Sequence, residues 1–156
     1  MPDVKVDTWG GGKFNVYEAG KGPVIMLVHP SPGSSQSWAP LLPLVEEHFS
    51  VCAPDLLGHG KSEARPEVAS AQEHGASLER LCRVLGLTQA FYLAGAGFGA
   101  KVAVELALRK PKLIRGLLLL GLPKPDPKLK VRTIAASEEE APERLVELML
   151  KLRTAA

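Results

Sequence analysis

Residues 91–100 read FYLAGAGFGA: an apolar strand runs into a glycine-rich turn, Gly95-Ala96-Gly97-Phe98-Gly99, and a helix opens behind it. The first N–H groups of a helix have no partner inside it, so such a turn can bind a carbonyl oxygen or a small anion. With Ala100 the same residues fit G-x-G-x-x-A, the pattern of a dinucleotide site. That chemistry needs an acid about twenty residues on, at the tip of the next strand. The tip here is Leu120-Gly121-Leu122-Pro123, and the nearest acid, Asp126, lies beyond it. A nucleotide-binding module is therefore the weaker use of this turn.

A second glycine segment, Asp55-Leu56-Leu57-Gly58-His59-Gly60-Lys61-Ser62, imitates a phosphate-binding loop. Asp55 replaces its first glycine and would repel phosphate, and Pro66 interrupts the helix that should follow. His59 lies in this turn and is not expected to be a base. His48 at a helix end and His74 within a helix are expected to be surface or half-buried residues. Cys52 and Cys82 have neither metal-site nor redox spacing and read as buried small hydrophobes of a reducing compartment. No metal and no cofactor are expected.

These residues must be held by a frame. Residues 4–7 and 13–18 alternate around Gly10-Gly11-Gly12 and predict a hairpin at a sheet edge. Residues 24–29, VIMLVH, form a continuous apolar run, hence a buried strand. A Ser/Pro/Gly loop follows over 30–36, then a helix over 38–48 capped by Ser37. Another buried strand covers 49–54, a polar loop 55–66, and a helix 68–85 that Gly86 stops. A helix over 98–110 ends at Pro111 and a last apolar strand covers 113–120. Pro123, Pro125 and Pro127 break what comes next. Ser137-Glu138-Glu139-Glu140 predicts a capping box for an amphipathic tail helix over 141–152, with Lys151 and Arg153 suiting its C-terminal end. Strands alternating with helices give an α/β fold: a mainly parallel sheet of about six strands with helices on both faces. Residues 1–125 form the core and 126–156 a linker and amphipathic helix.

In order and spacing, Leu27-Val28-His29-Pro30-Ser31-Pro32-Gly33, the Asp55–Ser62 segment, and the glycine turn with its following helix and strand resemble the N-terminal half of the α/β-hydrolase superfamily, in its esterase, epoxide hydrolase, dehalogenase and C–C hydrolase branch. The resemblance covers residues 13–125. It implies that Gly97 stands where the family carries its nucleophile, G-x-S-x-G. It implies oxyanion donors at the backbone N–H groups of Ser31 and Phe98, with His29, Pro30, Gly95 and Gly99 shaping the loop and pocket. Pro30 replaces the family's usual glycine. The family's triad acid and histidine come late, after strands beyond the sixth, and the chain has no counterpart to them before Ala156. Asp126 could stand for an acid but would have nothing to orient.

The chain is 156 residues long, enough for one core. Apolar residues make up 46% and charged residues 23%, as in an ordinary soluble domain. A net charge of +2 with interspersed signs does not favour nucleic acid or an anionic membrane. The basic run over 124–132 is broken by Pro125, Asp126 and Pro127 and reads as a solvated loop. The N-terminus has no signal-type apolar core, and no apolar run spans a bilayer. A cytoplasmic location follows as the expectation.

The implied function is a hydrolase-fold protein without nucleophile or late triad residues, inactive as an ordinary hydrolase, keeping a pocket for a small carbonyl or carboxylate. The alternative is part of a true serine-type ester or C–C hydrolase, completed by a partner chain or a further C-terminal half. A sheet stopped at its sixth strand would expose that strand as an edge and lose a covering helix on one face. The tail helix would then cover the face or pair with another copy, which predicts a homo-oligomer or a completing chain.

Overall fold

The computed structural model describes residues 3–122 and 126–154. Strands β1 (Asp3–Asp7) and β2 (Lys13–Ala19) form the expected antiparallel hairpin. They are followed by β3 (Val24–Val28), β4 (Ser50–Pro54), β5 (Phe91–Ala96), β6 (Ile114–Leu120) and β7 (Thr133–Ala136). Among the described residues the sheet has seven strands, where about six are expected, in the order β1-β2-β4-β3-β5-β6-β7. Every pairing from β4 to β7 is parallel. The last pairing sets Leu117 against Thr133 and Leu120 against Ala136, so β6 is an inner strand, not the edge expected.

The helices are α1 (Leu42–Val45), α2 (Ala71–Val84), α3 (Phe98–Arg109) and α4 (Pro142–Thr154). Strand residues alternate between the two faces of the sheet, so Met26 and Leu117 face α2 and α3 with Leu78 and Leu106. Ile25 and Leu118 face α1 and α4 with Leu42 and Met149. Each fully buried Leu contributes about 2 kcal/mol of transfer free energy. The tail helix thus covers its own sheet, which answers in cis the open face expected from the sequence.

Three expected boundaries move for local reasons. The helix over 38–48 is replaced by a 3-10 turn, Ser35–Trp38, and the short α1. Pro40 and Pro43 remove the N–H groups a continuous helix would need. Its cap is Ser34, whose hydroxyl accepts from Gln36 N, while Ser37 closes the reciprocal bond. Helix α2 begins after Ser70, which forms a capping box with Glu73. The Ser137 hydroxyl accepts from Glu139 N at 3.0 Å and closes a turn, while α4 starts later, at Pro142, and carries Glu143 in its first turn. Lys151 and Arg153 do lie in its last turn. Pro123, Lys124 and Pro125 lie outside the described residues.

The chain leaves β3 toward β4 on one side and later returns to β5 on the other. The crevice outside the carboxyl ends of β3 and β5 is the point where an open α/β sheet binds its ligands.

Candidate functional site at the switch point of the sheet

Two loops and one turn meet at that crevice. Asp55, just past β4, ties the loops together. It is buried, and its Oδ1 accepts from Ser35 N at 2.7 Å. Its Oδ2 accepts from Lys61 N at 2.9 Å and from Asn15 Nδ2 at 3.2 Å. Burial alone would raise its pKa, but the Lys61 and Ser35 amides outweigh it and hold the carboxyl below its ordinary value. The imitation of a phosphate loop ends here: Asp55 occupies the loop's own amide, and Lys61 Nζ reaches out to Asp3 at 3.3 Å.

His29 is fully buried beneath its loop and lines neither of the two cavities beside the glycine turn. Its Nε2 accepts from Leu56 N at 2.9 Å, so the proton sits on Nδ1, which donates to Pro30 O at 2.7 Å. Burial pushes its pKa down and keeps it neutral. His59 donates from Nδ1 to Leu57 O at 3.1 Å, and its Nε2 accepts from Ser31 Oγ at 2.8 Å. His74, expected to be a surface or half-buried residue, is buried, because Phe98 and His59 close over it edge-on at 5.7 and 5.8 Å. Burial first, then the neighbouring His59 and His29, lower its pKa.

The turn between β5 and α3 is built by glycine. Gly97 has φ +55° and ψ −121°, a backbone that side chains adopt only under strain. Its N–H donates to Leu120 O at 2.9 Å. A Cβ on Gly99 would collide with the Val28 and His29 carbonyl oxygens, so α3 packs directly on the end of β3. Gly95 packs likewise on Gly99. Both glycines serve this close approach and line neither of the two cavities that flank the turn.

The first cavity, about 400 Å³, brings Ser31 and Phe98 together with His59 and His74. The N–H groups of Ser31 and Phe98 make no hydrogen bond among the described residues. The second, about 220 Å³, lies between Pro30, Trp38, Ala96, Leu120 and Glu138. Trp38 is buried, and its Nε1–H has no partner among the described residues. Sequence reasoning missed Trp38, Glu138 and the Ser31–His59 bond, which join residues far apart in the chain. Asp126 stands elsewhere, on the flank of α3 with its Oδ1 accepting from Lys128 N at 2.8 Å. Among the described residues no His, Cys, Asp or Glu cluster could hold a metal ion. Both cysteines are buried and free, and burial raises both thiols, Cys82 to about 12.

A mainly parallel sheet with this order, a glycine turn at its switch point and helices on both faces is the fold of the α/β-hydrolases. The family model of the alpha/beta hydrolase fold matches residues 23–153, and the chain belongs to that family. It is similar to a haloalkane dehalogenase of Bradyrhizobium diazoefficiens, 33% identical over 135 residues, covering 85% of this chain and 43% of that protein. It is similar to bifunctional epoxide hydrolase 2 of Sus scrofa, 35% identical over 121 residues, covering 72% of this chain and 21% of that protein. The crystal structure of haloalkane dehalogenase DbeA from Bradyrhizobium elkani superposes with a TM-score of 0.68 at 30% identity, over 76% of this chain and 40% of that one. The chain thus spans less than half the length of these relatives. No helix among the described residues is long and apolar enough to cross a membrane.

Proposed function

We propose that the chain is a hydrolase-fold binding module: it holds a small carbonyl or carboxylate oxygen between the N–H groups of Ser31 and Phe98, and Gly97 stands in the nucleophile's place with nothing to attack it. The observation that carries this reading is the turn itself. Gly97 keeps a backbone that a nucleophile's side chain would have to occupy under strain, and Ser31 and Phe98 line one cavity beside it. No covalent acyl-enzyme forms at residue 97. Amide chemical shifts followed by NMR during an acetate titration test the binding, with the largest changes expected at Ser31 and Phe98; unchanged shifts at both would sink it. Turnover of p-nitrophenyl acetate with a burst that a serine-directed probe abolishes would sink the inert turn.

A second reading rests on the open side of the sheet. Strand β7 is outermost, pairs only with β6 among the described residues, and the chain covers 43% of the Bradyrhizobium dehalogenase. A further strand, from a second copy or a completing chain, fits that edge. In this reading Gly97→Ser with a completing chain supplied gains ester or C–C bond hydrolysis. A stable monomer in light scattering at micromolar concentration counts against it. The two free, buried cysteines support a cytoplasmic setting.

A further inference from the structure

The end of the sheet away from the glycine turn holds a cavity of its own, about 520 Å³, where the chain passes from α2 into β5 and from α3 into β6. Its floor is apolar: Cys82 is buried, and Leu87 and Leu113 are half-buried against the core. Its rim is cationic. Arg83, Arg109 and Lys110 all reach one carboxylate, Glu79, at 3.3, 2.8 and 3.8 Å. The bond from Arg109, above all, holds that carboxyl below its ordinary value. Three cations on one anion leave two positive charges over. Lys112 adds a third and makes no ion pair among the described residues. Helix ends explain only part of this excess. Arg83 and Arg109 stand in the last turns of α2 and α3, where a cation suits the macrodipole. Lys112 lies beyond both helices, yet lines the same cavity. A concave apolar floor with a few converging polar groups is the usual form of a small-molecule site. The floor suits a hydrocarbon body and the rim an anion, and Glu79 shows that these cations hold a carboxylate at hydrogen-bond distance.

We propose that this cavity binds an aliphatic carboxylate of medium chain length, its chain laid on Leu87 and Leu113 and its head among Arg83, Lys110 and Lys112. The side chains of Arg83 and Lys110 are 70% and 48% exposed, so donors beyond those on Glu79 face the opening. Neither half of the ligand is enough alone. An exposed ion pair contributes little by itself, and a chain without a charge has nothing to fix its direction. Binding is non-covalent: burial raises the Cys82 thiol to about 12, so it keeps its proton and does not attack. The site stands at the N-terminal ends of β5 and β6, whereas Gly97 follows the C-terminal end of β5. The inference is therefore independent of the oxygen-binding reading of Ser31 and Phe98.

Isothermal titration calorimetry of the full chain with sodium octanoate tests it, beside hexanoate, butanoate and 1-octanol. Octanoate is expected to bind, with affinity falling about threefold for each CH₂ removed, close to the value for burying a methylene. Octanol should bind about tenfold more weakly, for want of charge-assisted hydrogen bonds. Lys112 is exposed, so Lys112→Glu should leave the fold intact and weaken octanoate about tenfold. Lys13→Glu makes the same charge change at the other end of the sheet and should stay within about twofold of wild type. Amide shifts in NMR should centre on Leu87, Thr88, Lys112 and Leu113. No heat with octanoate, octanol binding equally well, or a K112E affinity equal to wild type overturns the proposal. Octanoate shifts confined to Ser31 and Phe98 overturn it as well, and count for the oxygen site beside the turn instead. Octanoate shifts at Leu87 and Lys112, with none at Ser31 or Phe98 on adding acetate, leave this site standing while that reading fails.

Discussion

The two flanks of the Gly97 turn are built in opposite ways. On the side of α2 and α3, three imidazoles and Phe98 stand in a row, with His29 to His59 at 5.2 Å and His59 to His74 at 5.8 Å. The ring nitrogens of His29 and His59 are already engaged by Pro30, Leu56, Leu57 and Ser31. On the side of α1 and α4, Trp38 keeps an unsatisfied donor and Glu138 projects over glycines. The first flank is a polar network that holds loops in shape, with both Asp55 oxygens engaged and only the far end of Asn15, its buried Oδ1, left without a partner among the described residues. The second leaves its polar groups unsettled, which is what a site for a ligand requires. Histidines attract attention in a sequence, yet here His29 and His59 belong to the scaffold.

Breaking the first flank should cost the most. Asp55→Ala removes the acceptor of two amides and of Asn15, and orphaned buried donors cost about 1–3 kcal/mol each, so a loss of about 4 kcal/mol in urea unfolding is expected. A loss under about 1 kcal/mol would mean the loops hold themselves and the flanks do not differ in this way. The second flank depends on packing instead. Met149 is fully buried on the inner face of α4, and Met149→Ala should cost about 3 kcal/mol. Its signature is local: hydrogen exchange should quicken over 137–154 and stay slow in α2 and α3. Uniform quickening would show that both flanks open together.

Acid sharpens the contrast further. His29 and His74 have pKa values lowered in the fold, so above the unfolded value, about 6.5, both states are neutral and nothing is lost. As pH falls below it, the unfolded chain takes up protons that the folded chain resists, and stability declines toward the folded values. Asp55, also lowered, contributes above an unfolded carboxyl value of about 4 and is lost below it. Unfolding free energy should thus fall in two stages, and His74→Gln should shrink the first alone, leaving the share of His29. A single stage, unchanged by that substitution, would remove the histidines from the account.

Much of this frame is legible in the residues, for reasons that mark what is not. Strands β3, β5 and β6 are buried on both faces and read as unbroken apolar runs, and α2 and α3 carry their own stop signals. Strand β7, TIAA, has neither length nor apolar contrast; it exists because β6 offers it a ladder, a tertiary effect beyond local propensity. The turn at Gly97 and the approach of Ser31 and Phe98 follow from motif order. Glu138 reaches the turn only through that unforeseen β7, so no reading of 137–140 as a helix cap could have found it. His59 meets Ser31 across 28 residues, and neither side of that pair announces the other.

The smallest effect on stability is the most telling about function. Gly97→Ser places a side chain at φ +55°, which costs about 1 kcal/mol, and sets its Cβ 3.1 Å from Glu138 Oε1. The fold should survive, with a melting temperature a few degrees lower. The new hydroxyl would still need a base. His29 is buried with both nitrogens occupied, and His59 Nε2 already accepts from Ser31 at 2.8 Å. The variant should therefore show no acyl-enzyme by mass spectrometry after incubation with p-nitrophenyl acetate. An acetyl group found on residue 97 would mean that His59 can leave Ser31 and serve the turn, and the first flank would then be catalytic machinery held in reserve rather than scaffold.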